Sequence, residues 1–139
     1  MPPTVHVVFD AESPAAEACA RVIATALRGG GLRASTRELP ELTHVSADCT
    51  VVVLDDRLDP AGADLPDMQG HPFAVVGLSH GPLAEAAPSA WLDARLARSG
   101  GRRVHPVKRC APTSAGFPRE TVVAVLRWSW RGGQDARAA

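Results

Sequence analysis

The fold of this chain is decided by its opening stretch, residues 4–31, "TVHVVFDAESPAAEACARVIATALRGGG". Residues 4–9 form a short, continuous apolar run rich in β-branched side chains, which is typical of a strand buried on both faces. Ser13 and Pro14 then supply an N-cap and a first-turn proline, the usual start of a helix. The glycines at 29–31 mark where that helix ends. The stretch therefore predicts a strand followed by a helix.

Between the cap and the glycines, apolar residues recur at intervals of three and four, as on one side of an amphipathic helix. These residues are Ala15, Ala18, Cys19, Val22, Ile23, Ala26 and Leu27. We expect them to form the buried side of the first helix.

The rest of the chain continues the alternation of strands and helices. Further strands are predicted at 32–39, 50–54, 73–78 and 102–107, and further helices at 86–99 and from Pro118 to about Trp130. This alternation predicts an α/β domain with a doubly wound, five-stranded parallel sheet in the order 2-1-3-4-5. Pro60, Gly62 and Pro66 interrupt the crossover after the third strand, so we expect the helix there to be short or missing.

The length and composition are typical of one globular domain. At 139 residues with 45% hydrophobic content, the chain is long enough to bury a core, and we assign residues 1–131 to a single domain and 132–139 to a flexible tail. No apolar run approaches the roughly 20 residues that cross a bilayer, and no signal peptide is recognisable. The three cysteines lack metal or disulfide spacing. We expect a cytoplasmic protein without a membrane or metal partner.

The charges balance overall but not along the chain. Residues 1–70 carry eleven acidic and five basic side chains, whereas residues 71–139 carry four acidic and ten basic ones. A net charge of zero disfavours general nucleic-acid binding. The asymmetry could orient a protein partner or a second copy of the chain, but solvated faces without a partner are the preferred interpretation of the asymmetry itself.

The segment "GLSHG", residues 77–81, matches the G-x-S-x-G pattern of hydrolases, with Ser79 as nucleophile. Such a serine needs a histidine base and an acid that orients it. Beyond His80 of the motif itself, the only histidine downstream is His105. The carboxylates between Ser79 and His105 are Glu85 and Asp93, and Asp93 is placed in a helix. We therefore do not expect Ser79 to be catalytic, and no catalytic residue is assigned.

Residues that follow the strands are the candidates for a ligand cleft, because a doubly wound sheet binds ligands at the carboxyl ends of its strands. They are Asp10, Glu12, Ser13, Asp55, Asp56, Ser79, His80 and Gly81. The acidic residues, the hydroxyl of Ser79 and Lys108 resemble the phospho-acceptor site of response-regulator receivers. That resemblance would make Asp55 the phosphorylated residue and leaves a receiver-like module as one alternative.

Over nearly the whole chain, the order and spacing of elements resemble a flavodoxin. "VVFDAESPAAEACARVIATALRGGGLRASTREL" is similar to the first strand, phosphate loop, first helix and second strand of that family, and "FAVVGLSHG" is similar to its fourth strand and the turn after it. The resemblance implies a flavodoxin-like fold. It also implies FMN as a possible cofactor, in an electron carrier or reductase component.

The phosphate loop departs from the family pattern T-x-T-G-N-T. Ala11, Pro14, Ala15 and Ala16 replace donors and the glycine, and Glu12 adds a negative charge. We therefore expect that FMN binding has been lost and that the protein acts as an accessory, regulatory or assembly subunit. Trp128 and Trp130 are the candidate interface residues, because tryptophan is enriched at interface hot spots.

Overall fold

The computed structural model of the chain describes residues 2–38, 47–55, 70–78, 88–110 and 119–138. Within them lie β1 (Thr4–Phe9), α1 (Pro14–Gly29), β2 (Arg33–Glu38), β3 (Cys49–Asp55), β4 (Pro72–Leu78), α2 (Pro88–Arg98), β5 (Arg102–Arg103), β6 (Lys108–Cys110) and α3 (Arg119–Ala138). None of the helices in this part of the chain combines the length and the apolar character needed to span a bilayer.

All strands pair in parallel, in the order β2-β1-β3-β4-β5, with β6 also paired to β4. The predicted doubly wound order is confirmed. In the register between β1 and β3, Phe9 lies beside Val53, so the residues after β1 meet the end of β3 at one edge of the sheet. The helix expected to be short or missing after β3 lies outside the described residues.

The predicted fifth strand, 102–107, is divided into two short pieces. Phe73 of β4 aligns with Arg103 in β5, but Val76 aligns with Lys108 in β6, so two extra residues are inserted opposite β4. Pro106 lies in this interruption, and proline has no N–H to donate to a sheet. The prediction of one continuous strand was wrong, whereas its position beside the fourth strand is confirmed.

The ends of α1 are as predicted. Ser13 has an extended backbone and its Oγ accepts a hydrogen bond from the N–H of Ala16 at 3.0 Å, with Pro14 in the first turn. At the other end the N–H of Gly30 donates to the carbonyl of Ala26 at 3.1 Å. Gly31 has φ of 94°, a left-handed conformation that favours glycine.

The buried side of α1 is rotated from the predicted one. It consists of Ala16, Ala20, Ile23, Ala24 and Leu27. Of the predicted stripe, only Ile23 and Leu27 belong to it, and Val22 is 49% exposed. Alanine is compatible with either side of a helix, so a helix with six alanines and few large apolar residues does not fix its buried side by pattern alone.

Two hydrophobic clusters hold the layers together, one on each face of the sheet. On one face α1 and α3 pack on β1 and β3, and a Cβ atom at Gly30 would collide with the side chain of Leu126. On the other face α2 buries Leu92 and Leu96 against Phe73.

The last helix is longer than predicted. It begins at Arg119, one residue after Pro118, and continues to Ala138, through the segment assigned to a tail. Gly132 and Gly133 lie inside the helix instead of ending it. A glycine inside a helix costs only about 1 kcal/mol relative to alanine, and the residues that follow include good helix formers.

Candidate functional site

The turn between β1 and α1 is closed by its own hydrogen bonds. The N–H of Asp10 donates to the carbonyl of Val53 at 3.3 Å, which keeps the turn attached to β3. Oδ1 of Asp10 accepts from the N–H of Glu12 at 3.0 Å, and its carbonyl accepts from the N–H of Ser13 at 3.1 Å. A short acidic side chain that accepts a bond two residues onward is a common device of tight turns.

Ser13 connects this turn to the end of β3. Its hydroxyl donates to Oδ2 of Asp55 at 2.9 Å, while the same oxygen accepts from the N–H of Ala16. Both side chains are buried, and Asp55 is only 1% exposed. The bond arises because Ser13 must lie at the start of α1 and Asp55 at the end of β3, and these two ends share one edge of the sheet.

Few hydrogen-bond donors of this turn remain available to a ligand. The N–H groups of Glu12, Ser13 and Ala16 and the hydroxyl of Ser13 all have acceptors within the chain. Proline at position 14 has no N–H. Of the backbone N–H groups between Asp10 and Ala16, those of Ala11 and Ala15 have no acceptor among the described residues.

The structure therefore brings together three of the predicted cleft residues, Asp10, Ser13 and Asp55, with Glu12 exposed beside them. The other four, Asp56, Ser79, His80 and Gly81, lie outside the described residues. No group of three or more side chains suited to a metal ion occurs within the described ranges.

Asp93 is bonded to an arginine. Its Oδ2 accepts from Nε of Arg103 at 2.8 Å, so α2 is joined to β5. The Nδ1 atom of His105 is buried without a hydrogen-bond partner. An acid–base pair of Asp93 and His105, as a serine nucleophile would require, is not formed.

A polar cluster at the opposite end of β3 was not predicted. Oγ1 of Thr50 lies 2.9 Å from Nε2 of His71, and the register places Thr50 beside His6 of β1. Burial lowers the pKa of His71, and the neighbouring His6 adds to this, whereas Asp48 opposes it. Burial, with a smaller contribution from Arg37, also lowers the pKa of His6. The cluster could have been predicted only from the strand register.

The thiol of Cys49 lies inside the first hydrophobic cluster. Burial raises its pKa to about 12. A thiol that stays protonated is a poor nucleophile and a poor metal ligand, so Cys49 is a structural residue.

The two predicted interface residues lie on different sides of α3. Trp128 packs against the hydrophobic cluster shared with α1, and its buried Nε1 has no hydrogen-bond partner. Trp130 is 75% exposed. Only Trp130 presents most of its ring to solvent.

The three-dimensional arrangement is similar to that of solved flavodoxins. The flavodoxin from Streptococcus pneumonia TIGR4 matches with a TM-score of 0.65 at 17% identity, over 91% of this chain and 94% of that one. A cysteine-to-serine variant of the flavodoxin from Pseudomonas aeruginosa gives 0.64 at 21% identity, over 87% and 97%. A flavodoxin from the domain Archaea gives 0.64 at 16% identity, over 92% and 97%.

The chain has the flavodoxin-like fold. No protein-family model matches it, and no curated protein matches its sequence. The likeness of this flavodoxin-like chain to the solved proteins therefore concerns the path of the backbone.

Proposed function

We propose that this flavodoxin-like chain does not bind FMN and acts through protein–protein contacts, as an accessory, regulatory or assembly subunit. The hydrogen bond between Ser13 and Asp55 is the observation that carries the proposal. It lies at the turn where the family resemblance would put the FMN phosphate.

A phosphate site at a helix N-terminus needs several N–H and hydroxyl groups that point at the anion. In this turn the hydroxyl of Ser13 is directed at Asp55, and the N–H of Ala16 is directed back at Ser13. A phosphate would have to displace both bonds in order to accept from these two groups. Among the described residues of the turn, the N–H groups of Ala11 and Ala15 are the donors that it could use without displacing a bond. The turn fits a phosphate dianion poorly.

The charges of the turn act in the same direction. Asp10 and Glu12 both belong to the turn, and Glu12 is exposed. These two carboxylates repel a phosphate dianion, and the repulsion is stronger where burial lowers the effective dielectric constant. The positive end of the helix macrodipole, about half an elementary charge, attracts an anion but is too small to offset two acidic side chains.

The burial of Asp55 also argues against a receiver-like function. A phospho-accepting aspartate has to be reached by a phosphoryl donor, but Asp55 is almost completely covered and accepts a bond from Ser13. The burial of Asp55 therefore disfavours the receiver-like alternative.

The second candidate function is FMN-dependent electron transfer. It is favoured by the structural likeness to flavodoxins over nine-tenths of the chain. This candidate requires the turn at Asp10–Ala16 to open, because the hydroxyl of Ser13 cannot donate to Asp55 and to a phosphate at once.

The two candidates differ in what the purified protein carries. After expression with excess riboflavin, the full chain is heat-denatured and the released material is analysed for flavin by chromatography and fluorescence. The proposal expects a colourless protein with no stoichiometric flavin. A yellow protein that releases one FMN per chain would contradict it and establish the second candidate.

A further inference from the structure

Several features of the turn at Asp10–Ala16 act against a bound anion. Pro14 supplies no N–H, and Asp10 and Glu12 carry negative charges within the turn. A further carboxylate, that of Asp55, belongs to the end of β3 and accepts a hydrogen bond from the turn. These features can be separated by experiment, because they differ in burial and in the element that carries them.

Asp55 brings a carboxylate to the start of α1. Its Oδ2 lies 2.9 Å from Oγ of Ser13, the N-cap residue, and that Oγ lies 3.0 Å from the backbone nitrogen of Ala16. A single hydroxyl group therefore separates the carboxylate from a donor of the first turn. The positive end of the helix macrodipole favours negative charge there, and an anion bound to a helix start occupies the same region.

The place of this carboxylate is set by the sheet as well as by Ser13. The N–H of Asp10 donates to the carbonyl of Val53 at 3.3 Å, so the turn and the end of β3 are also joined through the backbone. In the register of the two strands, Phe9 lies beside Val53. The Asp55 side chain is thus held at the turn from a neighbouring strand.

Burial makes the charge of Asp55 more effective than the charges of the turn. Asp55 is 1% exposed, whereas Asp10 is half-buried and Glu12 is exposed. At equal distance, two unit charges interact about four times as strongly at an effective dielectric constant of about 20 as in water at about 80. Salt also screens a buried charge less than an exposed one. A second anion at the start of α1 is therefore opposed most strongly by Asp55.

We propose that Asp55 determines which ligands the turn excludes: its carboxylate takes the place of a bound anion at the start of α1 and keeps phosphate esters out. The inference rests on the proposed function, because it names the residue mainly responsible for the loss of FMN binding. It also goes further, since a single isosteric change at position 55 should let the turn accept a phosphate ester. The proposed function alone does not require this, because Pro14 and the bonds within the turn remain in such a variant.

The test is a calorimetric titration of the full chain and its variants with FMN and with riboflavin, which lacks the phosphate. Asp55→Asn removes the charge but keeps an oxygen that can accept from Ser13. Asp10→Asn and Glu12→Gln each remove one charge of the turn. Asp93→Asn is the matched control, because Asp93 is 7% exposed and accepts a bond at 2.8 Å from Arg103 but lies on α2, at the other face of the sheet.

Asp55→Asn is expected to bind FMN with a Kd of about 0.1 mM or lower, at least about tenfold more tightly than riboflavin. The unchanged chain and the other three variants should bind FMN no more tightly than about 1 mM. The gain should therefore depend on the phosphate of the ligand and on position 55.

Thermal unfolding in phosphate and in chloride buffers of equal ionic strength gives a second measurement. Phosphate should raise the Tm of Asp55→Asn more than that of the unchanged chain or of Asp93→Asn, because it binds where the charge has been removed. If Asp55→Asn is unfolded in chloride, phosphate has to restore its folding, and a failure to do so would refute the role of Asp55.

The role of Asp55 is also refuted if Asp55→Asn binds FMN no more tightly than Asp10→Asn or Glu12→Gln, if riboflavin gains as much, or if Asp93→Asn behaves in the same way. The unchanged chain decides the proposed function separately. Micromolar binding of FMN to the unchanged chain refutes the proposed function, whereas an unchanged chain and an Asp55→Asn variant that both fail to bind FMN refute the role of Asp55 alone.

Discussion

The hydroxyl of Ser13 lies 2.9 Å from Oδ2 of Asp55 and joins the start of α1 to the end of β3, across 42 residues of sequence. The same oxygen caps the helix by accepting from Ala16. One side chain thus uses its donor and its acceptor within the protein. A ligand at this turn has to compete with both bonds.

Replacing Ser13 is expected to destabilise the fold. Ser13→Ala removes the helix cap and leaves the buried Asp55 without one of its donors, so we expect a loss of about 2–3 kcal/mol in the free energy of unfolding. Urea denaturation measures it. Ser99→Ala is the control, because that hydroxyl bonds only to the carbonyl of Arg95 near the end of α2. A loss at Ser13 no larger than at Ser99 would contradict the double role.

Replacing two glycines by alanine is expected to change the stability of the fold in opposite directions. At Gly101 a Cβ atom would lie 2.7 Å from the ring of Phe73 and 2.8 Å from the carbonyl oxygen of Leu96. Gly101→Ala should therefore destabilise by about 1–3 kcal/mol, as overpacking does. At Gly29, in the last turn of α1, a Cβ atom would meet no other atom within 4 Å, so Gly29→Ala should stabilise by about 0.5–1 kcal/mol. Thermal unfolding of both variants checks this, and equal signs would contradict it.

The stability of the fold is expected to fall on mild acidification. Burial lowers the pKa of His71 and of His6 in the folded protein, whereas an unfolded histidine titrates near 6.5. Between these values the unfolded chain binds more protons, so the free energy of unfolding decreases as pH falls below about 6.5.

Urea denaturation at several pH values between about 7.5 and 5 measures this decrease, in a range where histidines change charge. The double variant with His6→Gln and His71→Gln should show a shallower dependence on pH. An unchanged slope in the double variant would show that the two histidines are not its cause.

Cys49 is expected to resist alkylation in the folded protein. Its pKa is raised to about 12 and its side chain is buried, so almost no thiolate forms at neutral pH. In a variant with Cys19→Ser and Cys110→Ser, Cys49 is the only thiol and can be followed by mass spectrometry after iodoacetamide treatment. We expect labelling only after denaturant is added. Rapid labelling of the native protein would contradict the burial.

The central strands and the first helix could be predicted because each carries a local signal. β1, β3 and β4 are continuous apolar runs, and α1 has its own cap, proline and glycine stop. The rotation of α1 could not be predicted, because its alanines fit either side. The division of β5 and β6 depends on pairing with β4, which no local pattern contains.

The sequence predicted which residues lie at the candidate site, but not that two of them form a hydrogen bond with each other. Ser13 and Asp55 both follow from the rule that strand ends meet, and the cap at Ser13 is a local signal. The cap uses only the acceptor of the hydroxyl. That its proton is directed at Asp55 depends on the alignment of β1 with β3, which only the structure gives.

The most direct test is a calorimetric titration of the full chain with FMN and, as the control, with riboflavin, which lacks the phosphate. If the donors of the turn at Asp10–Ala16 are used within the protein, FMN should bind no more tightly than about 1 mM and show no preference over riboflavin. A micromolar or lower Kd for FMN, at least about tenfold below that for riboflavin, would mean a gain of about 1.4 kcal/mol or more from the phosphate. That result would contradict the proposed loss of FMN binding.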